Sequence, residues 1–149
     1  MPEVIGIDHI YISVSDLERS ARFYDALLVQ VLGFRKQHFS LGSEPHIQYY
    51  NRHFGYVLRP ARIDRPFDAY GPGLHHFCLR VDRVADVQNA AQAIQALGLG
   101  GAEARHFPEY APDYWACFIN DPDGVRLEIT NFRQERQARH DHWDNAQPT

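Results

Sequence analysis

The sequence predicts an α+β fold built from two βαβββ modules. A strand-like pattern with a histidine at its second position occurs at residues 8–14 and again at residues 75–81. An amphipathic helical pattern follows each of these strands, over residues 16–28 and 84–97, and each ends near a Leu-Gly pair. Three shorter strand-like runs then complete each half. An internal duplication of this kind predicts two related modules.

The first half begins with a strand whose two faces differ. Its side chains form an apolar face (Ile10, Ile12, Val14) and a polar face (His9, Tyr11, Ser13). Because successive strand residues point to opposite sides, we expect the apolar face to meet the helices and the polar face to line a cavity. Three further strands are predicted at residues 34–39, 47–51 and 56–58, with turns at residues 42–45 and 53–55.

The second half follows a linker rich in proline and glycine at residues 61–73. Its predicted strands cover residues 74–81, 102–106, 114–119 and 125–131, with the turn Asp121-Pro122-Asp123-Gly124 between the last two. We therefore expect one domain over residues 1–132, with half-modules at about residues 5–60 and 74–131. The polar tail, residues 133–149, is compatible with a helical extension or with disorder.

Composition excludes several classes of partner. The chain has 149 residues, 44% of them hydrophobic, and 15 basic against 19 acidic residues give a formal net charge of −4. Since no run of Lys or Arg could neutralise a phosphate backbone, nucleic acid is not an expected partner. No apolar stretch approaches the roughly 20 residues of a membrane span, and the start does not resemble a signal peptide. With only two cysteines, we expect reduced thiols and a cytoplasmic protein.

The two repeated histidines and one glutamate are candidate metal ligands. His9 and His76 occupy equivalent places in the repeat, and the repeat aligns Asp8 with His75, which selects His76 over its neighbour. On the final strand, Glu128 alternates with apolar residues and is expected to face the same cavity. Two imidazoles and one carboxylate form a facial set of three ligands with open positions. We predict one divalent metal ion, with Fe, Mn, Zn, Ni or Co all compatible.

At this point the chain resembles the vicinal oxygen chelate superfamily, which includes glyoxalase I, extradiol dioxygenases and bleomycin-binding proteins. The resemblance covers about residues 6–131 and is carried by Asp8-His9-Ile10, Val14-Ser15-Asp16-Leu17, Phe23-Tyr24, Leu32-Gly33-Phe34, Gly73-Leu74-His75-His76 and the segment from Phe118 to Glu128. It implies βαβββ modules that pair into an incurved, open, barrel-like mixed sheet with helices outside. It also places the family's metal ligands on His9, His76 and Glu128.

One ligand of glyoxalase I has no counterpart. In that enzyme a fourth ligand, a glutamate that also acts as base, comes from the last strand of the first module. Residues 45–63 contain no Asp or Glu, and the matching place is expected near Leu58 or Arg59. Nitrogen or oxygen atoms of His46, Gln48 or His53 could fill the gap. We favour three protein ligands plus water.

Further candidate site residues lie on the loop that starts at His106. We expect His106 and Tyr114 to be catalytic, because a His or Tyr beside an open metal position can move a proton. Tyr11, Arg59 and Tyr110 are expected to bind substrate. The alternatives are a loop closed by ordinary aromatic packing and an Arg59 that is only a solvated cation at a strand end.

These features predict a metal-dependent enzyme that acts on a small molecule with vicinal oxygens. Lyase or isomerase chemistry is favoured, and extradiol-type dioxygenase chemistry is also compatible with the three ligands. The alternative function is metal-free binding of a small molecule, as in drug resistance. By family resemblance we expect a homodimer, with a small-molecule substrate and no membrane partner.

Overall fold

The structure is a computed structural model that describes residues 1–101 and 103–145. Contacts divide it into two units, Met1–His75 with Asn120–Val125, and His76–Ile119 with the described residues from Arg126 onward. The first half contains, in order, β1 (His9–Val14), α1 (Leu17–Tyr24), a π-helical segment (Asp25–Val31), β2 (Arg35–Leu41), β3 (Glu44–Tyr50) and β4 (Gly55–Pro60). The second contains β5 (His76–Val81), α2 (Val84–Ala96), β6 (Arg105–His106), β7 (Trp115–Asn120), β8 (Arg126–Asn131), α3 (Gln134–Asp141) and a 3₁₀ turn (Trp143–Asn145).

Each half forms a four-stranded mixed sheet with the same plan. The strand orders are β1-β4-β3-β2 and β5-β8-β7-β6. In each sheet the first strand pairs in parallel with the last, with His9 opposite Gly55 in one and His76 opposite Arg126 in the other. The predicted α+β class and the two βαβββ modules are therefore confirmed, and neither sheet closes on itself.

The apolar faces of the strands form the core of each unit. In the first unit, Ile12 and Val14 are buried, as alternation predicted for the face opposite His9, and Leu58 of β4 is buried beside them. In the second unit, Leu127 and Ile129 are buried with Val87 of α2, so the last strand turns its apolar residues into the core. Among residues 1–101 and 103–145, no helix has both the length and the apolar character that a bilayer crossing requires.

The first helix differs from its prediction in hydrogen-bond register. Asp16 caps it by accepting from the backbone N–H of Arg19, as expected for an N-cap. From Asp25 onward the chain winds as a π-helix, and the N–H of Leu32 bonds to the carbonyl of Leu27, five residues back. Helical winding continues to Val31, so it ends beside the Leu32-Gly33 pair, as the sequence predicted. Within this segment Leu27 and Leu28 are both buried.

Several predicted boundaries shift. The predicted turn at residues 42–45 is shorter, because Leu41 pairs with Glu44 and leaves a two-residue hairpin loop. Of the strand predicted at residues 102–106, only Arg105–His106 is a strand, and Ala102 lies outside the described residues. The tail forms α3 and a 3₁₀ turn as far as residue 145, which favours the helical alternative, while residues 146–149 lie outside the described part.

The predicted Asp-Pro-Asp-Gly turn is present and holds a buried carboxylate. Asp121 accepts the backbone N–H groups of Asp123 at 2.9 Å and Val125 at 2.8 Å, and Gly124 has φ of 90°. The hydroxyl of Tyr24 donates to the other oxygen of Asp121 at 2.8 Å and lies 2.8 Å from the hydroxyl of Tyr56. Burial raises the pKa of Asp121, although these hydrogen bonds oppose the effect.

Gly101 provides a test of the packing of α2. Its φ is 88°, and a Cβ there would stand 3.0 Å from Ile94 Cγ2 and 3.2 Å from the Phe118 carbonyl. We expect Gly101→Ala to lower the free energy of unfolding by about 2 kcal/mol, because positive φ and a clash with fixed backbone add. The control is Gly98→Ala, where φ is 67° and nothing lies within 4 Å. Equal losses in denaturant titrations of the two variants would contradict this explanation.

Candidate metal centre

Two of the predicted ligands meet on adjacent strands of the second unit. His76 starts β5, and Glu128 lies on β8, opposite Cys78 in the parallel pairing. Alternation places both side chains on the same face of the sheet. Nε2 of His76 is 3.4 Å from Oε2 of Glu128, whose side chain is only 5% exposed.

The 3.4 Å between His76 Nε2 and Glu128 Oε2 is close to the distance between two ligand atoms bound to the same metal ion. Two donors that each bind one ion at about 2.1 Å, at an angle between octahedral and tetrahedral, stand about 3.0–3.4 Å apart. The distance between the imidazole nitrogen and the carboxylate oxygen is therefore compatible with a shared divalent ion. Imidazole and carboxylate together suit Zn, Fe, Mn, Co and Ni, and the donor chemistry agrees with the predicted cofactor class.

Tyr114 holds the second oxygen of this carboxylate. Its hydroxyl donates a hydrogen bond to Oε1 of Glu128, and the guanidinium of Arg133 lies 4.5 Å from the centre of the Tyr114 ring. Burial and the neighbouring Glu128 raise the pKa of Tyr114 well above its ordinary value. The hydroxyl therefore keeps its proton at neutral pH and donates a hydrogen bond to Oε1 of Glu128, which leaves Oε2 directed at His76.

Removing this hydroxyl tests whether it positions the carboxylate. We expect Tyr114→Phe to weaken divalent metal binding roughly tenfold, because partners that orient a ligand are worth about 10–100-fold in affinity. Competition with a chromophoric chelator measures the change. The matched control is Tyr110→Phe on the same loop, whose side chain is 65% exposed. Unchanged affinity in the Tyr114 variant would show that Glu128 is held in place by other contacts.

His9 lies at the start of β1 in the first unit, beside a carboxylate. Oδ1 of Asp8 is 2.6 Å from Nδ1 of His9, and the imidazole is half exposed. A carboxylate on one ring nitrogen fixes the ring and leaves the other nitrogen, Nε2, available to a ligand. In the sequence repeat, Asp8 is the counterpart of His75, and the repeat alone gives it no role at the site. An acid directly before a candidate ligand is the feature that could have indicated this role.

The structure therefore brings together two of the three predicted ligands, and His9 belongs to the other unit. Over the described residues, neither unit by itself contains three His, Cys, Asp or Glu side chains placed to hold a metal ion. Assignment of His9 to a shared ion stays a prediction from the repeat.

The place of the missing fourth ligand is apolar. Glu128 stands opposite Cys78, two residues after His76. In the first sheet the residue two after His9 is Tyr11, and its partner on β4 is Val57. The expected place near Leu58 or Arg59 is therefore wrong by one or two residues. Because Val57 has no donor atom, the first module offers no ligand at this position.

The three residues considered for that gap have different surroundings. His46 is 1% exposed, its Nδ1 lies 3.0 Å from the Glu44 carbonyl, and its Nε2 finds no partner among the described residues. The side-chain carbonyl of Gln48 accepts from the amide of Gln37 at 2.6 Å. The backbone of His53 donates to Asn51 within the β3–β4 turn.

Arg59 is engaged in an ion pair within the first unit. Its guanidinium lies 2.6 Å from Oε2 of Glu44, and Arg62 lies 2.7 Å from the other carboxylate oxygen. The hydrogen bond from Arg62, reinforced by the charge of Arg59, lowers the pKa of Glu44. Glu44 thus neutralises part of the positive charge of Arg59, which was expected to bind a substrate. The predicted role of Arg59 in substrate binding stays a prediction.

His106 and Tyr110 pack within their loop. Nε2 of His106 is 2.7 Å from the carbonyl of Pro112, so this nitrogen carries the proton and Nδ1 is the basic one. The imidazole stacks on Trp115, with ring centres 5.3 Å apart. Tyr110 stacks on Phe107 and meets Tyr114 edge to face. These are the contacts expected of a loop closed by aromatic packing, and the proposed catalytic and binding roles stay predictions.

Tyr11 lies between two imidazoles on the polar face of the first sheet. Its ring is edge-on to His9, with centres 5.5 Å apart, and to His46, at 5.9 Å. The side chain is 43% exposed. An exposed phenol beside a candidate ligand is placed suitably for substrate contact, and this role too stays a prediction.

Both cysteines are free thiols in the second unit. Burial, together with the charge of Glu128, raises the pKa of Cys78 far above its ordinary value. The same two causes raise the pKa of Cys117 to about 11. Both sulfurs are therefore protonated at neutral pH, and Cys117 is buried as expected for a packing thiol, whereas Cys78 is exposed.

Fold and site together define a class of protein. Two βαβββ modules, each with its first and last strands parallel, place an imidazole and a carboxylate on adjacent strands. The chain belongs to the Glyoxalase/Bleomycin resistance protein/Dioxygenase superfamily, whose sequence profile matches residues 6–129. No curated protein matches the sequence.

Solved structures share the fold at low sequence identity. A glyoxylase/bleomycin resistance protein/dioxygenase domain from Frankia sp. EAN1pec has a TM-score of 0.72 at 21% identity, covering 88% of this chain and 100% of its own. A lactoylglutathione lyase from Agrobacterium tumefaciens has a TM-score of 0.60 at 21% identity, covering 87% and 94%. A mutant of the fosfomycin resistance protein FosX from Listeria monocytogenes, complexed with Mn(II) and 1S,2S-dihydroxypropylphosphonic acid, has a TM-score of 0.67 at 14% identity, covering 91% and 98%. The similarity establishes the fold.

Proposed function

We propose that the chain is a metal-dependent enzyme that acts on a small molecule with vicinal oxygens, by lyase or isomerase chemistry. The observation that carries the proposal is the 3.4 Å approach of His76 Nε2 to Glu128 Oε2. The carboxylate of Glu128 is nearly buried beside an imidazole, and burying a charge costs free energy of folding. A bound divalent cation would offset this cost by its attraction to the carboxylate.

We assign His9, His76 and Glu128 as the ligands. Joining His9 to the other two depends on the sequence repeat, and its contact with Asp8 supports the assignment. When bound, the ion would act as a Lewis acid toward a substrate oxygen. Tyr114 would keep the carboxylate of Glu128 oriented, and the basic Nδ1 of His106 is our candidate for accepting the substrate proton.

The apolar Val57 favours a reaction that differs from that of glyoxalase I. At the place where that enzyme carries a glutamate that is both ligand and base, this chain has no titratable group. Proton transfer would therefore fall to a side chain outside the ligand set. Extradiol-type oxygen chemistry, which uses the same three ligands, is the second reaction to assay.

Metal analysis tests the proposal. We expect protein purified anaerobically and reconstituted with Mn, Fe, Zn, Ni or Co to retain about one ion per chain. The reconstituted protein is then assayed with thiol–aldehyde adducts for isomerisation and with catechols for oxygen uptake. If no divalent ion remains after reconstitution, the metal-dependent proposal fails and metal-free binding of a small molecule becomes the better explanation.

We also propose that the chain works as a homodimer in the cytoplasm. The dimer is inferred from family resemblance, and the two free cysteines suit a reducing compartment. Size-exclusion chromatography with light scattering tests the oligomeric state. A mass near 17.2 kDa, that of one chain, would contradict the dimer.

A further inference from the structure

Four arginines gather where β5, β8 and α3 meet in the second unit. Arg80 lies on β5, and Arg133, Arg136 and Arg139 follow β8 at intervals of three residues along the start and body of α3. We call these four residues the arginine cluster. Over the part of the chain that the structure describes, none of them forms an ion pair with a carboxylate. By contrast, Arg19, Arg59, Arg62 and Arg83 each pair with an acid.

Cation–π contacts with aromatic rings position two members of the cluster. The guanidinium of Arg80 lies 4.0 Å from the centre of the Phe132 ring, and that of Arg133 lies 4.5 Å from the centre of the Tyr114 ring. Stacking on a ring face positions a guanidinium and leaves its edge N–H groups available to an acceptor. The two side chains are thus ordered without using their donors.

Arg80, the member of the arginine cluster on β5, lies on the same face of the sheet as Glu128. Arg80 pairs with Thr130, two residues beyond the pairing of Cys78 with Glu128. Two residues along a strand correspond to about 7 Å. Arg133 reaches the same region from α3, because the Tyr114 ring beneath it carries the hydroxyl that donates to Glu128.

The arginine cluster is a local excess of positive charge. Arg136 is half-buried, and desolvation together with the charges of Arg139, Arg80 and Arg133 lowers its pKa. Glu135 is the one acid that opposes this effect. Since arginine stays protonated in proteins, the repulsion persists until an anion compensates it. The chain as a whole is acidic, with a formal net charge of −4, so the excess is a local feature.

We propose that the arginine cluster binds an anionic group of the substrate, a carboxylate or a phosphate-like oxyanion, at the level of Arg80, about 7 Å along the sheet from Glu128. Arginine is suited to this role because its planar N–H groups bind such anions in a bidentate manner. The substrate is then a small organic acid whose reactive oxygens lie at the other end. Assignment of the ligand as substrate rests on the proposed function, whereas anion binding by the cluster does not require the metal.

Calorimetric titration of the metal-free protein tests the proposal, with inorganic phosphate and malonate as probes and neutral malonamide as the control ligand. We expect phosphate or malonate to bind and malonamide not to bind. Tighter binding of phosphate would identify a phosphate-like group, and tighter binding of malonate a carboxylate. In the double variant Arg133→Gln/Arg136→Gln, we expect the Kd of the preferred anion to rise at least tenfold.

Two further variants test whether a raised Kd results from misfolding or from the loss of any positive charge. Arg80→Gln removes a member of the arginine cluster from a different element and is expected to raise the same Kd. Arg22→Gln removes an exposed arginine of α1 in the first unit and should leave the Kd unchanged. Equal anion binding by wild type and both cluster variants, or binding of malonamide as tight as that of malonate, would overturn the proposal.

The alternative to an anion is that a second copy of the chain covers the arginine cluster. If the cluster variants become monomeric while the wild type is dimeric, and the wild type binds neither anion, the arginine cluster is a subunit contact and the proposal is overturned. Metal binding by the same proteins separates the two proposals. Anion binding without metal binding would contradict only the metal-dependent function, and metal binding without anion binding would contradict only the arginine cluster.

Discussion

Glu128→Gln is expected to weaken divalent metal binding by more than about 100-fold. Changes to residues that merely orient a ligand already cost about 10–100-fold, so loss of the ligand's own charge should cost more. The amide has the shape of the carboxylate, and its carbonyl can still accept from Tyr114. Isothermal titration of the apoprotein with Mn or Zn measures the change. The matched control is Glu109→Gln, on the exposed part of the loop before β7.

Although Glu128→Gln is expected to weaken metal binding, it should not lower the free energy of unfolding of the metal-free protein. Glu128 is nearly buried, and a buried carboxylate costs free energy that an amide of the same shape does not. The metal-free glutamine variant is therefore expected to be at least as stable as the metal-free wild type. Weaker metal binding together with lower stability of the apoprotein would indicate that Glu128 is a structural residue. Metal affinity equal to that of the wild type would remove Glu128 from the ligand set.

Asp121→Ala is expected to lower the free energy of unfolding by about 3 kcal/mol. The substitution leaves the Tyr24 hydroxyl and the N–H groups of Asp123 and Val125 without their acceptor. Each buried donor left unsatisfied costs about 1–3 kcal/mol, and partial access of water reduces the sum. Denaturant titration measures the loss. Asp64→Ala removes an exposed carboxylate and should change stability by less than about 0.5 kcal/mol.

The pH dependence of this effect has a definite sign. Burial raises the pKa of Asp121 in the folded protein above its value in the unfolded chain, about 3.9. The stability that its protonation contributes is therefore fully present below the unfolded pKa and is lost as the pH rises through the folded pKa. Relative to Asp121→Asn, the wild type should gain stability as the pH is lowered toward 4. A relative loss of stability would show that the hydrogen bonds to Asp121 outweigh its burial.

Strand alternation and the internal repeat were sufficient to predict the two βαβββ modules. They also predicted the apolar face of Leu127 and Ile129 and the meeting of His76 with Glu128. These features depend on which side of a strand a residue faces, and period-two patterning determines that directly. The turn at Asp121 was predictable for a similar reason, because its residue types have strong local preferences.

Features that depend on hydrogen-bond register or on side-chain reach were not predictable. A π-helix and an α-helix present similar apolar spacing over two turns, so the segment Asp25–Val31 could not be distinguished from α1. The exact partner of Tyr11 on β4 depends on the length of the β3–β4 turn, which is why Val57 was misplaced. The contact of Tyr114 with Glu128 depends on the path of a loop. The arginine cluster went unrecognised because α3 has no buried residue to give it an apolar pattern.

The protonated thiols have a practical consequence for experiments on this chain. Maleimides and peroxide react with the thiolate, and at pH 7 only about one Cys117 side chain in ten thousand is ionised, given its pKa of about 11. Cys78 is held in the thiol form even more strongly. A spectroscopic label can therefore be attached to a cysteine introduced on an exposed loop while the buried Cys117 is retained.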